Sequence, residues 1–172
     1  MRRYYSKLPE KGGFSGSVGI YSKGILKTVP NLEVFLGYPV VVNPKSPEGL
    51  IAIAGWGHKP TAQKARQKAK DWNLPYWALE EGFIRSVSPT DKPISLIVDP
   101  VGIYYDATQP SLLENMLNEL EFDRDLLKRA EEVLEKIKKL NISKYNDGKE
   151  VCEEIFNPGK DKVLMLCLIL GL

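Results

Sequence analysis

Two adjacent carboxylates, Glu80 and Glu81, close the apolar run YWAL, and Gly82, Phe83, Ile84, Arg85 and Ser86 follow at once. Charges seldom crowd the end of a core strand without a reason. The cluster is either a solvated turn in which the acids and Arg85 pair with one another, or the lip of a site that handles a charged substrate. A second group stands upstream in GWGHKPT, residues 55–61, which leaves the run LIAIA and enters a helical pattern that Thr61 is placed to cap. Backbone N–H groups, Lys59 and His58 would then face whatever lies above the sheet, a setting that suits an anion. Two glycines and a lysine also describe an ordinary turn before a capped helix.

Both groups need rigid elements to aim them. Strand-sized apolar or β-branched runs occur at 18–21, 38–42, 50–54, 75–79, 94–98, 102–105 and 163–170. Helical patterns lie between several of them: PNLEVFL, TAQKARQKAKDW, and a long pair over roughly 111–140. Alternation of this kind predicts an α/β, Rossmann-like three-layer domain. In such sheets ligands sit outside the carboxyl ends of the strands, so the motifs at 55–60 and 80–86 are expected on one sheet edge. Asp99-Pro100-Val101-Gly102 has turn chemistry and predicts a hairpin over 94–105. Ser111 and Glu114 form a capping box. In residues 123–140 the stripe of Leu126, Leu127, Ala130, Val133, Leu134, Ile137 and Leu140 predicts a helix with a core face. Residues 1–17 read as a flexible lead-in, 141–162 as a polar connection, and VLMLCLIL as a last core strand.

Composition narrows the function classes. The chain has 172 residues, 43% hydrophobic and 27% charged, which suits one soluble domain with a real core. The opening MRRYYSKLPEKGG has no apolar stretch of signal-peptide length after it, so a cytoplasmic location is expected. The closing apolar run is about ten residues, half the length of a membrane-spanning helix. Cys152 and Cys167 are far apart and have only His58 as company, which predicts buried thiols rather than a disulfide framework or a metal site. Lys59, Lys64, Arg66, Lys68 and Lys70 gather near one helix, whose buried face would be Ala62, Ala65, Ala69 and Trp72. A net charge of +2 and a pI near 8.4 argue against strong nucleic-acid binding, and attraction to an anionic lipid surface is the reading that remains for this basic face.

Taken together, VGIYSKGILKTVPNLEVFL, GWGHKP, LEEGFIRSVSP, PISLIVDPVGIYYDATQPSLLE and SKYN, in this order and at these spacings, closely resemble the capsular polysaccharide export and biosynthesis proteins of the KpsC/LipA type. The resemblance runs from about Val18 to about Val163. It implies a β-Kdo glycosyltransferase, which moves the eight-carbon acid sugar Kdo from CMP-Kdo onto a phosphatidylglycerol-type lipid at the inner face of the inner membrane. Such modules have two Rossmann-like halves in a glycosyltransferase-B-like arrangement, and residues 18–172 resemble the first. No cofactor is implied beyond the CMP-Kdo donor.

By the same resemblance Glu80 takes the place of the family's Glu in Leu-Glu-Asp-Gly-Phe, as the acid/base or acceptor-activating group. Retaining transfer commonly uses two carboxyl groups, one for proton transfer and one as nucleophile. Glu81 stands where Asp is usual, with a longer arm. Arg85 offers a planar fork to a carboxylate or phosphate, and Ser86 could add a hydrogen bond. In GIYYDATQPS, Asp106 is the site candidate, while Tyr104 reads as hairpin packing. His58 and Lys59 complete the expected substrate-binding set. The family's nucleophilic Asp-Gln-Thr strand is expected near 163–170, where this chain carries Cys167, Leu168 and Ile169. The ending therefore predicts a truncated module, inactive alone and in need of a second polypeptide, with a non-catalytic binding module as the alternative.

Overall fold

The structure, a computed structural model, describes residues 15–146. The predicted last strand, both cysteines and most of the lead-in and of the polar connection lie outside these residues. The described chain builds a five-stranded sheet in the order β2-β1-β3-β4-β5, from β1 (Ser17–Ile20), β2 (Val40–Val42), β3 (Leu50–Trp56), β4 (Tyr76–Glu81) and β5 (Leu96–Asp99). The first four strands are parallel, and β5 runs antiparallel to β4. Helices α1 (Lys23–Thr28) and α2 (Leu32–Leu36) follow β1, and α3 (Gln63–Asp71) follows β3. After β5 come α4 (Leu112–Glu119) and α5 (Arg124–Lys139).

Side-chain alternation along the strands sorts the core into two layers. Val18, Ile20, Ala52, Ala54, Trp77 and Leu79 face α1 and α2, meeting Ile25, Val29, Leu32 and Leu36. Ile53 faces the other way and meets Ala65 and Ala69 of α3. Helices thus cover both faces, which makes the predicted three-layer α/β arrangement. Each fully buried Leu, Ile or Val contributes about 1.5–3 kcal/mol to such a core. Among the described residues no helix is long and apolar enough to cross a membrane.

Three expectations change. Thr61 does not cap: Pro60–Ala62 form a short 3-10 turn that continues into α3, and no side chain accepts a bond at that helix start. Pro60 removes a donor and fixes the backbone for a helical entry, so the turn forms without a hydroxyl. The hairpin over 94–105 has only its first strand. Asp99, 2% exposed, accepts the N–H groups of Val101, Gly102 and Leu112 at 2.8, 2.9 and 2.9 Å. A carboxylate that gathers three backbone donors folds the chain into a loop leading to α4, and residues 102–105 never return as a strand.

The third change concerns α5. Its Asp123 cap forms, with the carboxylate accepting from Leu126 N–H at 2.8 Å, as does the Ser111 cap of α4. The apolar stripe is not a core face here, because no residue of α5 is buried and Leu134 is 50% exposed. Periodicity shows that a helix has an apolar side but not what covers it. The sheet faces carrying the two core clusters already hold α1, α2 and α3.

Candidate functional site

Period-two alternation sends the two adjacent acids in different directions. Glu80 shares the β4 face of Tyr76, which packs with the α3 layer, whereas Glu81 shares the face of Trp77 and Leu79. One pair of neighbouring carboxylates therefore serves two separate environments.

The Glu81 side is closed on itself. Arg85, 5% exposed, donates from Nε to Glu81 Oε1 at 2.6 Å and from one terminal nitrogen to Ser86 Oγ at 2.8 Å and the Asp91 carbonyl at 2.7 Å. Ser86 Oγ in turn donates to the Ser88 carbonyl. The SKYN segment clamps this loop: Arg85 N–H and Ser86 N–H donate to the Lys144 carbonyl, and the Asn146 amide donates to the Ser86 carbonyl. Tyr145 gives its hydroxyl to Glu81 Oε2 at 3.2 Å, and Lys144 Nζ lies 3.5 Å from the same oxygen. Burial raises the Glu81 pKa, but the Arg85 hydrogen bond and charge, with Lys144 and Tyr145, outweigh it and hold the carboxyl below its usual value. A carboxylate so engaged stays ionised and has little left to offer a substrate.

The Glu80 side is open. Gly57 follows β3 at φ +51°, and a Cβ there would lie 1.8 Å from the Tyr105 hydroxyl and 3.7 Å from Glu80 Oε2. Glycine is what allows the loop, Tyr105 and Glu80 to meet. The Tyr105 hydroxyl accepts the His58 N–H at 3.2 Å. Burial, then the Glu80 and Asp106 charges, push that phenol up against the opposing effect of its neighbours, so it remains protonated. His58 Nδ1 sits 2.7 Å from Asp106 Oδ2. An ionised carboxylate only accepts, so Nδ1 carries the hydrogen, and Nε2 is left as an acceptor that faces the Gln109 amide at 3.4 Å. Asp106 is held well below the usual carboxylate range by the Thr108 hydroxyl and N–H, then by His58, with the Gln109 amide adding to them against burial.

His58 and Gln109 also line a cleft of about 420 Å³, walled further by Arg66 of α3, by Tyr76 of β4 and by residues 100–102 after β5; Glu80, Tyr105 and Asp106 lie outside its lining. The crevice where the strand order reverses, between the ends of β1 and β3, is closed, with only about 10 Å³ of space. The open volume lies one strand over, at Tyr76 of β4. No group of three or more His, Cys, Asp or Glu is arranged to hold a metal ion among the described residues.

Of the residues expected from sequence, His58 lines this cleft and is held from behind by Asp106, while Glu80 stands by Gly57 and Tyr105 outside the lining. Lys59 is exposed nearby, its carbonyl accepting from Arg66 at 3.4 Å. Glu81, Arg85 and Ser86 leave from the same sheet edge but form the closed network instead. Tyr104 packs against Phe83 and Tyr105, with ring centroids 5.3 and 5.4 Å apart, and not in a hairpin. Sequence reasoning missed Tyr105, Gln109, Tyr145 and the separate position of Arg66. For Tyr105 and Gln109 the available signal was their place in the same GIYYDATQPS motif as Asp106.

The five-stranded, mostly parallel sheet with helices on both faces defines an α/β domain of the Rossmann-like kind. The family described as "Capsule polysaccharide biosynthesis protein" matches residues 51–155, and the chain belongs to it. It is 35% identical over 153 residues to the capsule polysaccharide modification protein LipA of Neisseria meningitidis, covering 86% of this chain and 21% of that protein. A lipopolysaccharide-processing protein LpsZ of Rhizobium meliloti is 35% identical over 105 residues, covering 58% of this chain and 24% of that protein. The chain thus spans roughly a fifth to a quarter of these curated relatives. Among solved structures, the β-Kdo 2,4 transferase KpsC of Thermosulfurimonas dismutans superposes with a TM-score of 0.80 at 56% identity, over 85% of this chain and 46% of that one. The β-Kdo 2,7 transferase KpsC of the same organism gives 0.54 at 31% identity, over 72% of this chain and 43% of that one.

Proposed function

We propose that this chain forms the first Rossmann-like half of a retaining β-Kdo transferase, in which Glu80 moves the proton of the acceptor hydroxyl. The donor is CMP-Kdo and the acceptor a phosphatidylglycerol-type lipid or the Kdo already on it. The observation that carries the reading is Glu80 near the carboxyl end of β4, close to Gly57 and Tyr105, in a chain 56% identical to a protein described as a β-Kdo 2,4 transferase. Tyr105 stays protonated and borders Gly57 next to Glu80, so it can donate to an acceptor oxygen while Glu80 accepts its proton. His58, fixed by Asp106 through Nδ1 and met at Nε2 by the Gln109 amide, lines the cleft that would take the sugar. The nucleophilic carboxylate and the donor nucleotide site belong, in this reading, to the second half of the module. The exposed lysines around α3 serve as the face toward anionic lipid.

The test is reconstitution. The chain is assayed alone and with the C-terminal half of the matched T. dismutans transferase, as two polypeptides and as a fusion, for Kdo transfer from CMP-Kdo. Transfer is expected only when both halves are present, and Glu80→Gln should abolish most of it. A reconstituted enzyme indifferent to Glu80→Gln would place the proton transfer elsewhere.

A further inference from the structure

We infer that the cleft between His58, Arg66 and Tyr76 is a subsite for the carboxylate of an acid sugar, with Arg66 as the residue that binds the anion. The inference rests on the transferase reading for the identity of the sugar, while the geometry supplies the residue. Arg66 is half-buried in the first turn of α3 and lines the cleft. Among the described residues no carboxylate lies within ion-pair distance of it. Its contacts are with neutral oxygens: a long 3.4 Å bond to the Lys59 carbonyl, and the hydroxyl of Tyr76, which itself donates to the Gly57 carbonyl at 2.7 Å. A guanidinium taken partly out of water without a charged partner retains donors for a ligand anion.

The surroundings choose between anions. Tyr76 keeps its proton, because burial and Tyr105 push it up against the Arg66 charge, so it adds no competing negative charge. Asp106 and Glu80 stand nearby, and Asp106 is ionised. One guanidinium facing such neighbours tolerates a monoanion and disfavours a phosphate dianion. Pro100, Val101 and Gly102 form a weakly polar part of the wall, suited to the face of a sugar ring, and Gln109, whose amide is held by Asp106 and His58, completes it. A volume of about 420 Å³ is within the range of small-molecule sites. Arg85, the other arginine near Glu80, has no such freedom, since Glu81, Ser86 and Asp91 occupy it.

The experiment titrates the full 172-residue chain with the methyl β-glycoside of Kdo, followed by ligand-observed NMR. Parallel arms use the carboxamide of the same glycoside and inorganic phosphate. Saturable binding of the acid glycoside is expected, roughly tenfold tighter than the carboxamide, with phosphate failing to displace it at equal concentration. Arg66→Gln should weaken the acid glycoside about tenfold and leave the carboxamide unchanged, and Arg66→Lys should recover only part of the loss. Gln109→Leu, at an exposed position in the cleft wall, should weaken binding several-fold and provides a check should an Arg66 variant fail to fold. No saturable binding, equal affinity for acid and carboxamide, displacement by phosphate, or binding indifferent to these variants would overturn the subsite. Because no transfer is measured, a failed reconstitution with intact glycoside binding removes the transferase reading alone. Successful reconstitution without glycoside binding removes the subsite alone.

Discussion

The two flanks of Glu80 hold similar residues in opposite conditions. On one side Arg85 is buried with Glu81, two hydroxyl-bearing residues and the SKYN segment, and each polar group there answers another. On the other, Arg66 lines a cleft with no carboxylate within ion-pair distance of it among the described residues, beside a histidine held by Asp106 at Nδ1 and met by Gln109 at Nε2. The difference teaches that a cation's role is set by what has already claimed its donors. A saturated guanidinium holds a loop in place, and an unsaturated one can hold a ligand.

The comparison can be broken by removing members of each flank. Arg85→Met should destabilise the fold by about 3–5 kcal/mol in chemical denaturation, because it leaves Glu81 partly buried and its charge poorly compensated. A loss below about 1 kcal/mol would show that the network is not a structural unit. Tyr145→Phe removes one hydroxyl bond to Glu81 and should cost about 0.5–1.5 kcal/mol.

Acid sharpens the same contrast. The Glu81 pKa is lowered in the folded state, so its contribution is fully present above the unfolded value of 4.5 and is lost as pH falls through the folded value. Glu81→Gln should therefore flatten the stability profile below about pH 4.5, and an unchanged acid limb would contradict the assignment. On the open flank the effect on stability should be the smallest. Arg66→Gln is expected within about 0.5 kcal/mol of wild type, since no ion pair is broken. Leu134→Gln on the exposed stripe of α5 should likewise fall within about 0.5 kcal/mol.

Much of this architecture was legible from periodicity and turn chemistry. Residues 17–20, 40–42, 50–56 and 76–81 became strands because apolar and β-branched runs of that length have few other ways to be buried. The caps at Ser111 and Asp123 formed as local chemistry required. The return strand of the hairpin was not legible, because the decisive contacts of Asp99 include Leu112 N–H, thirteen residues away. Nor was the exposure of α5, since amphipathicity does not name a partner.

At the candidate site the pairing of His58 with Asp106 and the approach of Glu80 to Gly57 join motifs with turn or strand-end chemistry that the sequence had already singled out. The split between Glu80 and Glu81 was available from strand alternation alone, which sends neighbours to opposite faces. Arg85 appeared to be the substrate fork because sequence proximity to the acids hides which donors are occupied. Arg66 was grouped with the solvated lysines of its helix for the same reason, as nothing in QKARQKAK marks one cation as facing a cleft.

The central claim is that Glu80 handles the proton while the open flank handles the sugar. Its most direct test is the acceptor dependence of the transfer rate in the reconstituted enzyme. Glu80→Gln should lower kcat by roughly 10²–10⁴ with little change in acceptor KM, whereas Arg66→Gln should raise that KM about tenfold with kcat nearly unchanged. A Glu80→Gln enzyme that keeps wild-type kcat would contradict the account.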